Sequence, residues 1–222
     1  HLLVDEMQDY TPIQYRVLQK IYPCAKTILG DAGQSVNPFG ASTAEAIQKT
    51  LNTGHIVYMN KSYRSTWEIT AFARTIQPNT QADVIERHGE TPQILHYKTA
   101  EEEVRGIEQM VSEFKTSGYR SLGIICKDEP NARALHEKLK TNHPEITFLS
   151  YQSTSYEHGI MVTYTHMAKG LEFNEVIVPH ADRKTYHTPM DRSLLYIAVT
   201  RAMHRLTCTG AGEISEILRK SR

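Results

Sequence analysis

The chain has 222 residues, 40% hydrophobic and 23% charged, an ordinary make-up for a soluble globular protein with room for one large or two small cores. Its 25 basic and 25 acidic residues cancel to a formal net charge of zero, which argues against a bulk electrostatic grip on nucleic acid while leaving room for a local basic groove. No apolar run approaches the roughly 20 residues that a membrane-crossing helix needs, and no signal-peptide pattern opens the chain.

The first residues, HLLV, read as the inside of a strand, the start expected of a truncated piece. Cys24, Cys126 and Cys208 are far apart and form no CxxC pair. They read as buried apolar residues of a reducing, cytoplasmic compartment. The 11 histidines show no HExxH spacing, so a histidine metal site is not expected.

Short apolar runs alternate with helical patterns along the chain, the pattern of a parallel α/β sheet. Residues 2–4 predict a strand, 11–21 a helix, 26–29 a strand and 41–51 a helix. A strand over 55–59 and a helix over 66–76 follow. The stretch 77–93, with Pro78, Gly89 and Pro92, reads as a surface loop leading to a strand at 94–97.

Residues 100–115 carry the clearest helical signal. Thr99 and Glu102 have capping-box spacing, and Val104, Ile107, Val111 and Phe114 form one apolar stripe. Strand 122–126 and helix 131–140 come next. The last third reads as strand 160–165, a short turn or helix, strand 175–179, helix 192–203, strand 206–209 and a final helix at 213–219.

LLV followed by Asp5 and Glu6 is an apolar strand ending in two acids. Phosphate-transfer ATPases need such a pair there, one acid to hold Mg²⁺ and the other to orient or deprotonate the attacking water. Ligands of open α/β sheets bind at the carboxyl ends of strands, so the position fits. The plainer reading is that the two acids simply leave the sheet into solvent.

Five blocks then occur in order: VDEMQDYTPIQ (4–14), LGDAGQSV (29–36), NKSYRSTWEI (60–69), VTYTHMAKGLEFNEVIV (162–178) and LLYIAVTRAMHRL (194–206). Together they resemble motifs II to VI of UvrD/Rep-like superfamily 1 helicases, and the resemblance covers nearly the whole chain. DEMQDYTPIQ, KSYRSTWEI, ERHGETPQI (86–94) and LLYIAVTRAMHRL look most like the HelD or helicase IV-like group.

The resemblance implies a RecA-like fold with helices on both faces of a parallel sheet. Residues 1–53 would be the tail of a first motor domain and 54–222 a second. It implies ATP and Mg²⁺ as ligands, with Asp5 on the metal and Glu6 on the attacking water. Gln34 would sense the γ-phosphate, with Gln8 beside it.

Arg64 lies between a strand and a helix, where a guanidinium fork can clamp phosphate oxygens. Arg201, read as lying inside an apolar helix, needs a partner, because an unpaired buried charge is costly. The family uses both as finger-like phosphate contacts; the alternative for each is a buried pair with an acid. Glu172 matches the acid on the nucleotide sugar, and Gly170 permits a tight turn. Thr165 and His166 match positions near single-stranded nucleic acid, a packed histidine being the alternative for His166. Tyr63 and Tyr196 read as core or stacking residues, and Trp67 as helix packing.

No phosphate-cradling GxxxxGK[ST] loop occurs in the chain. The family places it upstream of the Asp-Glu strand, so the chain reads as the C-terminal part of a longer motor. The interval from Ile69 to Val162 is too short for the inserted subdomain of unwinding members. The expected activity is that of an ATP-dependent translocase, a monomer acting on single-stranded DNA. The alternative is a HelD-like ATPase whose partner is RNA polymerase. Neither involves a membrane.

Overall fold

Strands and capped helices divide between two units, His1–Asn60 and Lys61–Arg222. A computed structural model describes the chain apart from residues 36, 38, 41–42, 60, 63, 79–82, 85, 154–158 and 220–222. Tyr63 and the first two residues of the helix expected from position 41 thus lie outside the described residues.

In the N-terminal unit, β1 (Leu2–Val4) pairs in parallel with β2 (Lys26–Ile28). The crossover between them is α1 (Pro12–Ile21), whose start is set by a capping box. Thr11 Oγ1 accepts from Gln14 N, and Gln14 Oε1 accepts from Thr11 N. A second helix, α2 (Ala44–Leu51), is capped by Thr43 and supplies Ile47 and Leu51 to a small core with Val4 and Tyr15. The strand expected over 55–59 does not form: these residues have no regular structure, and Val57 and Met59 are exposed. An apolar run becomes a strand only when a neighbour pairs with it.

The C-terminal unit begins with β3 (Lys61–Ser62), α3 (Trp67–Ile76) and β4 (Asp83–Val84), β3 and β4 forming a two-stranded parallel sheet. Then come β5 (Gln93–Tyr97), α4 (Ala100–Phe114), β6 (Leu122–Cys126), α5 (Glu129–Leu139), β7 (Thr147–Phe148), β8 (Ile160–Tyr164), α6 (Thr165–Ala168), β9 (Phe173–Val178), α7 (Pro189–Val199), β10 (Ala202–Ala211) and α8 (Glu216–Arg219). Six of these strands form one parallel sheet in the order β5-β10-β9-β6-β8-β7.

Central β6 is buried along its whole length, as a parallel strand covered on both faces must be. On one face, α4 and α5 bring Ile107, Val111, Phe114, Leu135 and Leu139 onto Leu122, Ile124, Val162 and Ile177. Burial of each such side chain contributes about 1.5–3 kcal/mol. Thr99 Oγ1 accepts from Glu102 N as its spacing predicts, but the Glu102 carboxylate accepts from Lys98 N, one residue earlier than a closed capping box requires. The architecture is the RecA-like α/β fold. Among the described residues no helix is long and apolar enough to cross a membrane.

Several boundaries differ from those read in the sequence. Helix α7 starts at Pro189, because Thr188 and Asp191 form a capping box ahead of the apolar run. It ends at Val199, because the chain enters β10 at Ala202. Arg201 is therefore in the turn between helix and strand, not inside the helix. β10 is ten residues long, since it lies between two partners, β5 and β9. Trp67 does not pack inside its helix. It is 46% exposed, with its ring 6.0 Å from that of His88. Cys126 and Cys208 are buried, but Cys24 is exposed beyond the end of α1.

Candidate functional site

Asp5 and Glu6 leave the carboxyl end of β1 as the sequence predicts. Glu6 is left-handed, with φ 53° and ψ 49°, a conformation that costs a non-glycine residue on the order of 1 kcal/mol. Three hydrogen bonds hold it there. Glu6 N donates to Asp5 Oδ1 at 2.8 Å, Asp9 N donates to Glu6 O at 3.0 Å, and Gln8 Nε2 donates to Glu6 Oε2 at 2.6 Å. The turn is fixed from below by Tyr15, whose hydroxyl donates to Met7 O at 2.7 Å.

Gln8 is fully buried and joins the two blocks of this unit, because its Oε1 accepts from Asp31 N at 3.1 Å. Asp31 in turn accepts from Gly33 N through Oδ1 and from Gln34 Nε2 at 3.0 Å through Oδ2. The result is a continuous polar chain Asp5–Glu6–Gln8–Asp31–Gln34. A side chain at Gly30 would place its Cβ 2.4 Å from Gln8 Oε1, so only glycine lets the two strand ends approach this closely. Asp31 carries the link, a residue that the motif reading did not single out. The Asp-x-Gly spacing, which lets a carboxylate take the amide two residues on, is the signal that could have found it.

In the C-terminal unit three separate blocks meet. Arg64 Nε lies 2.6 Å from Glu172 Oε1, both side chains being about 40% exposed. Arg201 is 1% exposed. Its Nε donates to Ile197 O at 3.1 Å, its Nη1 reaches Leu171 O at 3.5 Å and its Nη2 donates to Thr200 Oγ1 at 3.2 Å. Ser65 Oγ donates to Ala202 O at 2.6 Å in the interior, so the residues that follow the two arginines, 137 positions apart, are bonded directly.

Gly170 has φ +83°, the left-handed turn that sets Glu172 opposite Arg64. The Phe173 amide donates to Arg201 O at 3.0 Å and closes the same corner. Thr165 is buried and its hydroxyl donates to Cys126 O at 3.1 Å, which leaves His166 as the exposed side chain of that pair. Tyr196 is buried in α7, as read.

The acid pair suits a hard divalent cation. Asp5, Glu6 and Asp9, with Tyr10 and Gln14, line an open hollow of about 390 Å³. Among the described residues no group of three or more acidic, histidine or cysteine side chains could hold a metal. A site of one or two carboxylates is what Mg²⁺ uses when phosphate oxygens and water complete its octahedron.

Family models match at both ends of the chain: the UvrD/REP helicase N-terminal domain over residues 1–54 and the UvrD-like helicase C-terminal domain over residues 159–208. The putative ATP-dependent DNA helicase YjcD of Bacillus subtilis is 27% identical over 154 residues, 63% of this chain and 20% of that protein. The ATP-dependent DNA helicase PcrA of Leuconostoc citreum is 26% identical over 159 residues, 65% of this chain and 21% of that protein. The chain therefore spans about a fifth of the length of these relatives.

The solved C-terminal domain of a possible DNA helicase from Lactobacillus plantarum superposes with a TM-score of 0.62 at 29% identity, covering 72% of this chain and 94% of that one. The two family matches fall in the order of the polar clusters, one over Asp5–Gln34 and one over Thr165–Arg201, so that at both ends the chain is similar to the UvrD/Rep-like helicases.

Proposed function

We propose that this chain is the C-terminal motor region of an ATP-dependent superfamily 1 translocase that moves on single-stranded DNA. In this reading residues 1–53 end a first motor domain and residues 54–222 form the second. The observation that carries it is the meeting of Arg64, Glu172 and Arg201 from three distant blocks in one corner, with the Ser65–Ala202 bond beneath.

Asp5 would hold Mg²⁺, which neutralises charge on the β- and γ-phosphates when bound. Glu6, aimed by its left-handed backbone and by Gln8, takes the proton of the attacking water. Gln34, oriented by Asp31, reads the γ-phosphate. Arg64 donates to phosphate through its Nη groups while Nε stays on Glu172, whose second oxygen is left for the nucleotide sugar. Arg201 supplies the second guanidinium; in the conformation described its donors serve the turns on either side. Gly170 shapes the nucleotide-side turn, and His166 faces the nucleic acid.

The test is ATP turnover by the full-length gene product with and without single-stranded DNA. DNA-stimulated turnover that Glu6→Gln abolishes supports the reading, and turnover unchanged by Glu6→Gln overturns it. Residues 1–222 alone are expected to hydrolyse ATP negligibly, since they contain no phosphate-cradling loop.

A second reading, a HelD-like ATPase acting on RNA polymerase, is favoured by one observation. Every regular element described between Ile69 and Val162 belongs to one of the two sheets of this unit or to their covering helices. No junction-binding subdomain is inserted there among the described residues. Strand displacement on a short tailed duplex at physiological salt separates the two. Processive unwinding without an accessory protein supports the conventional helicase, and ATP turnover stimulated by RNA polymerase without unwinding supports the other.

A further inference from the structure

Residues 87–90, between β4 and β5, run as a strap across two elements of the arginine corner. Arg87 O accepts from Trp67 N at 2.8 Å, at the first turn of α3. Glu68, one residue on, accepts from Gly89 N at 2.8 Å and pairs with His88 Nδ1 at 2.8 Å. At the other end Glu90 takes two bonds from Arg205 of β10, Nε at 2.9 Å and Nη2 at 2.6 Å. The strap thus fastens the start of α3, which follows Arg64, to the start of β10, which follows Arg201.

One side chain in the strap reaches both sides. Arg87 Nη1 donates to Arg64 O at 3.1 Å, and its Nη2 lies 2.8 Å from Nδ1 and 3.1 Å from Nε2 of His204. His204 is stacked on Tyr119, with ring centroids 5.1 Å apart and planes 20° from parallel, so the acceptor is itself held in place. Burial, and then the charge of Arg87, push the His204 pKa below its ordinary value, which keeps the ring neutral at pH 7 with one nitrogen lone pair to accept the bond.

We infer that Arg87 is a positioning residue: by gripping the Arg64 carbonyl and the His204 ring together, it fixes the Arg64 guanidinium relative to Arg201. The inference rests on the reading of Arg64 as a phosphate contact. Arg87 touches no reacting atom. Its backbone carbonyl, Ser65 and Glu68 tie the same elements together without it, so its loss loosens the Arg64 turn rather than unfolding the unit. A misplacement of about 1 Å at a group that must meet a transition state costs on the order of 10²-fold in rate.

The experiment is a double-mutant cycle on ATP turnover in the full-length gene product, with Arg87→Ala, Arg64→Ala and the pair. Expected is a kcat about 10- to 100-fold lower in Arg87→Ala with KM within about threefold, and partial recovery in Arg87→Lys, which keeps a donor for one of the two acceptors. In the Arg64→Ala background, Arg87→Ala adds less than about threefold, because the group it positions is gone. Losses that multiply in the double variant, or normal kcat in Arg87→Ala while Arg64→Ala is inactive, overturn the positioning role alone. Normal turnover in Arg64→Ala overturns the phosphate-contact reading and the inference with it. Should Arg87→Ala lower the melting temperature by more than about 5 °C, Arg87→Lys carries the comparison: kcat unchanged by Arg87→Lys in the otherwise wild-type protein, or lowered by the same factor in the wild-type and Arg64→Ala backgrounds, overturns the role, and a lowered kcat confined to the otherwise wild-type protein upholds it.

Discussion

The N-terminal acids and the C-terminal arginines rest on very different supports. Asp5 and Glu6 stand on a two-stranded sheet of three-residue strands, beside Leu3 at 63% and Ile13 at 75% exposure. They are kept in place by a polar chain through Gln8 and Asp31. Arg64 and Arg201 stand beside a six-stranded parallel sheet whose central strand is wholly buried; Arg201 grips backbone carbonyls, Arg64 pairs with Glu172, and the residues that follow them are bonded to each other. Within residues 1–222 the acid pair is held by side-chain hydrogen bonds, whereas Arg201 is held by backbone carbonyls beside a sheet that carries its own core.

The largest effect separates the two arginines from each other. Arg64→Ala in the full-length gene product should lower ATP turnover by roughly 10³, the scale of an arginine finger, and leave stability within about 1 kcal/mol, because its pair with Glu172 is solvent-exposed. Arg201→Ala should lower turnover and melting temperature together, since each buried carbonyl left without its donor costs about 1–3 kcal/mol. Steady-state kinetics beside thermal denaturation reads both. A stable but inactive Arg201→Ala would break the contrast.

Next in size is the core. Ile124→Ala should destabilise the C-terminal unit by about 2–5 kcal/mol, measured by urea denaturation, because the cavity opens at the centre of the sheet. Amide exchange should rank the two supports the same way, with β6 and β8 exchanging only on global unfolding and β1 and β2 by smaller openings. Equal protection in both units would remove the distinction.

A smaller effect is pH-dependent. Asp191 is buried at the start of α7. Burial raises its pKa, but the amides of His187 and Thr188 and the ammonium of Lys127 outweigh that and hold it down at about 2, against an ordinary 3.8. A carboxylate with a depressed folded pKa gives stability that is present above its unfolded pKa. That stability, about 2 kcal/mol, is lost as pH falls from about 4 to about 2. Asp191→Asn should flatten the acid limb of the stability curve by that amount. The smallest effect is at Gly170, where φ +83° predicts a loss of about 1 kcal/mol for Gly170→Ala, with Arg64 loosened from Glu172.

Much of the frame was legible in the chain itself. The run Leu122–Cys126 forms the strand it predicts, and the stripe Ile107, Val111, Phe114 faces the core it predicts. Asp5 and Glu6 follow the end of β1 as read, and Gln34 lies in the short helical turn after β2. What was not legible depended on partners remote in sequence. Residues 55–59 look like a strand but find none to pair with, while β7, only two residues long, forms because β8 runs beside it. Thr165, matched to a position near nucleic acid, has its hydroxyl buried and donating to Cys126 O, a contact that no local pattern announces.

The sequence by itself determined the alternation of strands and helices, the caps that start them and the order of the five blocks, because hydrophobic period and capping act over a few residues. Only the tertiary structure decided that Arg64 would meet Glu172, that Arg201 would leave its helix and turn inward, and that Arg87 would bridge to His204. The contacts of Arg64 and Arg87 join residues 23 to 117 positions apart. They exist because parallel crossovers bring the starts of α3 and β10 to one corner, and no local pattern in the chain encodes which strand will lie beside which.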